Sequence, residues 1–124
     1  MGHARPRALV AAALVVALAG VRPAHARDLA LPAHMDDTIR RHDPQLRRCY
    51  TRALRSEPGL RGKLVVRFRV AASGRTRDVA FVTAARTLRH PAIERCVGRV
   101  FRTMRFRPLA AAGWFRTPLV FVGA

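Results

Sequence analysis

Apolar residues recur along this chain with two different periods, and the switches between them predict its elements. Ile39, Leu46, Cys49, Tyr50, Ala53 and Leu54 fall on one helical stripe, with Arg41, Arg48, Arg52 and Arg55 on the other side. Asp36, Asp37 and Asp43 are candidate N-caps, and Pro44 suits a first helical turn. Pro44 is therefore expected to divide the region into a short turn at 36–42 and a main helix at 44–56, which Pro58-Gly59 ends. From Leu64 the period changes to two. Leu64, Val66, Phe68 and Val70 alternate with Val65, Arg67 and Arg69, which predicts a strand with one apolar face. Ala72-Ser73-Gly74 supplies a turn, with Gly74 suited to a positive φ. A second strand is expected from Thr76 to Thr83, with Val79 and Phe81 facing the core and a bulge at Arg77-Asp78. Helical spacing returns at Ile93, Cys96, Val97, Val100, Phe101 and Met104, after His90-Pro91. A third strand is predicted from Trp114 to Val122. Phe115, Thr117, Leu119 and Phe121 share one face, and Trp114, Arg116, Pro118, Val120 and Val122 share the other. Pro118 has no N–H to give to a ladder, so this strand should lie at a sheet edge.

The order helix, strand, strand, helix, strand predicts an α+β domain over residues 36–124. Two helices pack on one face of a three-stranded antiparallel sheet, in spatial order 2-1-3 if the third strand lies beside the first. Residues 27–35 have no clear period and are expected to form a short tether.

The first 26 residues have the build of a secretory signal. Arg5 and Arg7 precede an uncharged apolar run from Leu9 to Ala19, and Ala24-His25-Ala26 is a cleavage site with small residues where they are needed. The run is shorter than the roughly 20 residues that span a bilayer. Cleavage after Ala26 is expected, with an uncleaved signal anchor as the alternative. The protein is then periplasmic or secreted, with no stable membrane anchor once cleaved. In that compartment the only two cysteines, Cys49 and Cys96, are expected to form a disulfide, one from each helix.

Charge adds a second question. The chain has 24 Lys+Arg against 7 Asp+Glu, and only Lys63 is a lysine. Cleavage removes Arg5, Arg7 and Arg22 and no acid, which leaves 21 basic and 7 acidic residues, near +14. Arg67, Arg69, Arg77 and Arg116 are candidate anion-binding residues on the sheet face opposite the helices. A face of solvated arginines is the plain alternative. Trp114 is the one aromatic offered there for base stacking, and export separates the chain from most nucleic acid, so no nucleic-acid partner is expected.

The residues point to no chemistry. His42-Asp43 reads as a cap, the cysteines are not in C-x-x-C, and the histidines lack metal-ligand spacing. No catalytic residue, metal or cofactor is expected.

The element order and a set of local motifs resemble the TonB C-terminal domain family, in the cysteine-bearing branch of myxobacterial gliding-motility type. The matching residues are Cys49-Tyr50, Leu54, Pro58-Gly59-Leu60, Gly62-Lys63-Leu64-Val65-Val66, Gly74, Thr87-Leu88, Cys96-Val97, Arg105-Phe106 with Pro108, and Thr117-Pro118-Leu119. The likeness spans roughly residues 36–124. Thr76 stands where an apolar residue is usual in that family and Met104 where tryptophan is usual, which should weaken the core slightly. The resemblance implies a non-enzymatic, transport-related module of the cell envelope that binds a protein partner by pairing an edge strand. Here the expected edge is Trp114, Arg116, Pro118, Val120 and Val122. This chain lacks the family's proline-rich spacer and, once cleaved, its anchor, so full energy transduction is not expected of it. An envelope protein is the expected partner, a polyanion is the alternative ligand, and exposed edges would also permit a homodimer.

Overall fold

The computed structural model describes residues 28–123. Within that span the order is α1 (Ala33–Arg41), α2 (Asp43–Leu54), β1 (Gly62–Val70), β2 (Thr76–Phe81), a single 3-10 turn (Thr83–Ala85), α3 (Pro91–Thr103) and β3 (Gly113–Phe121). The strands form one antiparallel sheet in the order β2-β1-β3. Residues 1–26, with the expected signal segment and its cleavage site after Ala26, lie outside the described residues. Among the described residues no helix is long and apolar enough to cross a membrane.

Three helices stand where the periodicity predicted two. The first helical region breaks at His42, because Pro44 has no N–H to continue the ladder. The His42 N–H closes α1 on the Ile39 carbonyl, and the His42 carbonyl then starts α2 by accepting from Gln45 and Leu46. His42 Nδ1 lies 2.8 Å from the Thr38 carbonyl, which the break would otherwise leave open. The three candidate capping aspartates are not caps. Asp36 and Asp43 lie in the first turns of α1 and α2 and pair with Arg40 and Arg47. The expected tether is also shorter than 27–35. Helix α1 begins at Ala33 because Met35 is fully buried against the core, and its burial outweighs the lack of a side-chain cap at Pro32.

The sheet buries its helix-facing side. Leu64, Val66, Phe68 and Val70 of β1 are fully buried, as the alternation predicts. Phe68 lies at the centre, with ring centroids 5.2 Å from Phe101, 5.8 Å from Phe106 and 6.0 Å from Phe115. Tyr50 stacks on Phe121 and donates its hydroxyl to the Leu60 carbonyl. Thr76 and Met104 are both buried, and Thr76 Oγ1 donates to the Met104 carbonyl at 3.3 Å. Cys49 of α2 and Cys96 of α3 are disulfide-bonded, with Cα atoms 5.6 Å apart. This bond clamps the two long helices that cover the sheet.

The hairpin holds its bulge where the pattern failed. Arg69 pairs with Asp78 and Val70 with Thr76, so Arg77 is the extra residue. Gly74 turns the hairpin at φ 92°, and a Cβ there would meet the Phe106 carbonyl oxygen at 2.0 Å. Strand β2 ends at Phe81 rather than Thr83, since Val82 gives its N–H to Val65 and the chain then enters the 3-10 turn.

Candidate partner-binding edge

Strand β3 pairs with β1 alone, so it lies at an edge. Its orientation follows from one residue pair. Pro118 lies opposite Val65, and the Val65 carbonyl accepts from Val82 on the β2 side. The polar groups of Val65 therefore point away from β3, and the nitrogen of Pro118 points to the outer edge. Proline sits where it costs no ladder bond. By the same alternation Thr117 and Leu119 turn their N–H groups toward β1, while Trp114, Arg116 and Val120 turn theirs outward. Trp114 supports this assignment, because its carbonyl accepts an outer-edge bond from the Leu29 N–H at 2.8 Å.

That bond is the edge's one backbone partner among the described residues. Leu29 forms a parallel bridge with Phe115, and its side chain lies over Gly113, where a Cβ would come within 2.5 Å of Leu29 Cδ1. Pro32 then leads the chain away into α1. The strap thus covers the edge only at its Trp114 end. Farther along, Pro118, Val120 and Val122 are exposed, and Val120 and Val122 retain 65% and 69% of their surface.

Beside the covered end, the strap brings a carboxylate onto the sheet. Arg67 of β1 and Arg116 of β3 are register partners. The Arg67 guanidinium lies 4.0 Å over the Trp114 ring. Arg67 donates from Nη2 to Asp28 Oδ1 at 2.9 Å and from Nε to Oδ2 at 3.0 Å. Arg116 Nε reaches the same Oδ2 at 3.1 Å. The Asp28 side chain keeps only 6% of its surface. Burial pushes its carboxyl up, but the hydrogen bonds and charges of Arg67 and Arg116 outweigh burial and hold it below the ordinary carboxylate value. A groove of about 560 Å³ adjoins the two arginines and runs over Ala80, Val82, Ala84 and Ala85.

No match to this chain is found among known protein families, characterised proteins or solved structures. Its functional reading therefore rests on the geometry of this edge.

Of the four arginines expected as anion-binding residues of the sheet face, Arg67 and Arg116 come together around Asp28. Arg69 reaches Asp78 across the hairpin at 3.4 Å, and Arg77 is the exposed bulge residue. Some of the arginines without an ion-pair partner among the described residues lie on the helix layer. Arg48 and Arg52 of α2 and Arg95 and Arg99 of α3 are exposed on either side of the disulfide. Arg52, Arg95 and Arg99 share a groove of about 290 Å³ with Cys49 and Cys96. Asp28 is the residue that sequence reasoning missed. It stands in a stretch without periodicity, and its partners lie 39 and 88 positions away.

Among the described residues no three His, Cys, Asp or Glu side chains gather as a metal site. His42 and Asp43 do not act as a pair, because Asp43 binds Arg47 and His42 binds Thr38.

Proposed function

We propose that this chain is a non-enzymatic, exported protein-binding module of the cell envelope, of TonB C-terminal type, that captures an extended partner segment along β3. The observation that carries this reading is the outer edge from Pro118 to Val122. Its backbone groups at Pro118 and Val120 face outward, beside a strip of exposed apolar side chains. Such an edge is an unfilled template for another strand. Main-chain bonds supply affinity, and the surfaces beside Pro118, Val120 and Val122 select side chains. Photo-crosslinkers placed at Val120 and Val122 in the native envelope should join a discrete partner, whereas a crosslinker at Arg99 on the helix layer should not. Equal crosslinking from both surfaces would reject the edge as the binding site. N-terminal sequencing tests the export reading and should begin Arg27-Asp28-Leu29.

A second reading, polyanion binding, is favoured by the helix-layer arginines rather than by the sheet face first expected. Asp28 and Asp78 already occupy Arg67, Arg116 and Arg69, while Arg52, Arg95 and Arg99 converge on one groove. Glutamine at those three positions should weaken binding to a defined polyanion and lower its salt slope by about three contacts' worth. Glutamine at Arg67 and Arg116 should leave most of that binding in place. The reverse pattern would return the site to the sheet.

A further inference from the structure

We infer that Arg67, Arg116 and Trp114 form a carboxylate cradle for the partner segment, and that Asp28 occupies it as an internal stand-in until an acidic extended segment takes its place. The inference rests on the edge-strand reading for its geometry and goes beyond it by naming the partner's chemistry.

Three observations converge. First, the cradle is a built site. Arg67 gives two parallel donors to the two oxygens of one carboxylate, and Arg116 gives a third. This fork geometry matches a carboxylate better than any point charge. Trp114 holds the Arg67 guanidinium from one face, so the fork is oriented before any ligand arrives. Second, the occupant arrives as a strand. Asp28 precedes Leu29, and Leu29 makes a parallel bridge and a backbone bond on β3. An incoming segment that pairs along the whole edge must enter the lane that Leu29 holds. Third, the occupant's hold on the edge is short. Leu29 is 51% exposed and makes one backbone hydrogen bond to β3, and beyond it Leu31 packs on the core and Pro32 turns the chain off the edge.

Displacing the strap without replacing its charge would strand two guanidiniums, one of them only 19% exposed. Leaving such a group without its partner is costly. A partner that brings its own carboxylate avoids that cost, so the cradle selects an acidic residue at one register position. In the parallel lane set by Leu29, that acid lies near the segment's N-terminal end. The β-branched residues that follow it can run on past Arg116 to Val122, where the strap's own proline prevents it from going.

The test uses ten-residue peptides of alternating Val and Thr, with a single Asp or Asn scanned through each position, titrated onto the mature protein. The proteins are the parent, Asp28→Ala, Asp28→Asn and an Asp28→Ala/Arg116→Gln double variant. Circular dichroism confirms each fold, and the isosteric Asp28→Asn serves if Asp28→Ala does not fold. The freed cradle should bind the peptide with Asp near its N-terminus at least about tenfold more tightly than its Asn counterpart, the scale of one charge-assisted pair. The parent should bind the same peptide several-fold more weakly than Asp28→Ala, because only its strap-open fraction competes. Arg116→Gln should erase the Asp preference.

Equal affinity of parent and Asp28 variants, no preference for Asp, a preference at the opposite end, or no binding by any peptide would each overturn the inference. The two readings separate on Val120→Pro. Binding that keeps its Asp preference but ignores Val120→Pro retains the cradle and rejects strand addition. Binding that is lost in Val120→Pro but ignores Asp retains strand addition and rejects the cradle.

Discussion

On the helix side of the sheet, Phe68 is buried among Phe101, Phe106 and Phe115, and a disulfide ties together the two helices that cover it. On the opposite side, the neighbouring residue of the same strand, Arg67, meets a carboxylate carried in by Asp28 on a short strap. The first face is closed by dispersion over many contacts and by a covalent link. The second is closed by one ion-paired residue and one backbone hydrogen bond, over only part of its edge. Interactions of the first kind are replaced only by unfolding. Those of the second kind can be exchanged for an equivalent ligand while the fold persists. The domain thus separates what holds it together from what it presents.

The largest effect that would sharpen this contrast belongs to the helix side. Reducing the disulfide, or replacing Cys49 and Cys96 by serine, should lower stability by about 4 kcal/mol on the chain-entropy account. Urea unfolding measures this. Partner capture by the fraction that remains folded should not change, because the edge's outward backbone groups are set by the pairing of β3 with β1. Loss of capture without loss of fold would break the contrast.

Next is proline at Leu119. Its N–H points toward β1, so Leu119→Pro removes a ladder bond and should cost about 1–3 kcal/mol or more in the same assay. A cost near zero would mean that the alternation along β3 is reversed.

A smaller effect is expected at Asp28. Asp28→Asn should cost about 1–2 kcal/mol, because Arg116 is partly exposed and its share is screened by water. The pH dependence has a definite sign. The folded carboxyl titrates below its ordinary value of 3.8, so the unfolded chain takes up the proton first as pH falls. The tie therefore contributes in full above that value and is lost as pH drops below it through the folded value. Protection of the Leu29 amide, relative to its intrinsic exchange rate at each pH, should fall over that acid range while the amides of β1 stay protected. Simultaneous loss of both would show that the strap is part of the core.

Much of the helix side was legible in the sequence because its signals are local. The alternation from Leu64 to Val70 gives the buried face of β1 directly, and the break in pattern at Arg77-Asp78 marks the bulge. Pro118 announces an edge through its missing N–H. Two cysteines on two helical stripes locate the clamp. What was not legible depends on partners far apart in the chain. Nothing near Asp28 reveals that Arg67 and Arg116 will converge on it, and from sequence the sheet-face arginines look free. The start of α1 failed for a related reason. Met35 is buried by a core that forms from distant elements, which lets the helix begin before any residue that could cap it. The contrast between the two faces is therefore also one between local pattern and long-range pairing.

Val120→Pro tests the central claim most directly. The N–H of Val120 faces outward, so the variant loses no ladder bond and should stay folded, with a smaller loss of stability than Leu119→Pro in urea unfolding. Partner crosslinking from Val122 should be lost in the same protein. A stably folded Val120→Pro variant that crosslinks the same partner with undiminished yield would contradict the account.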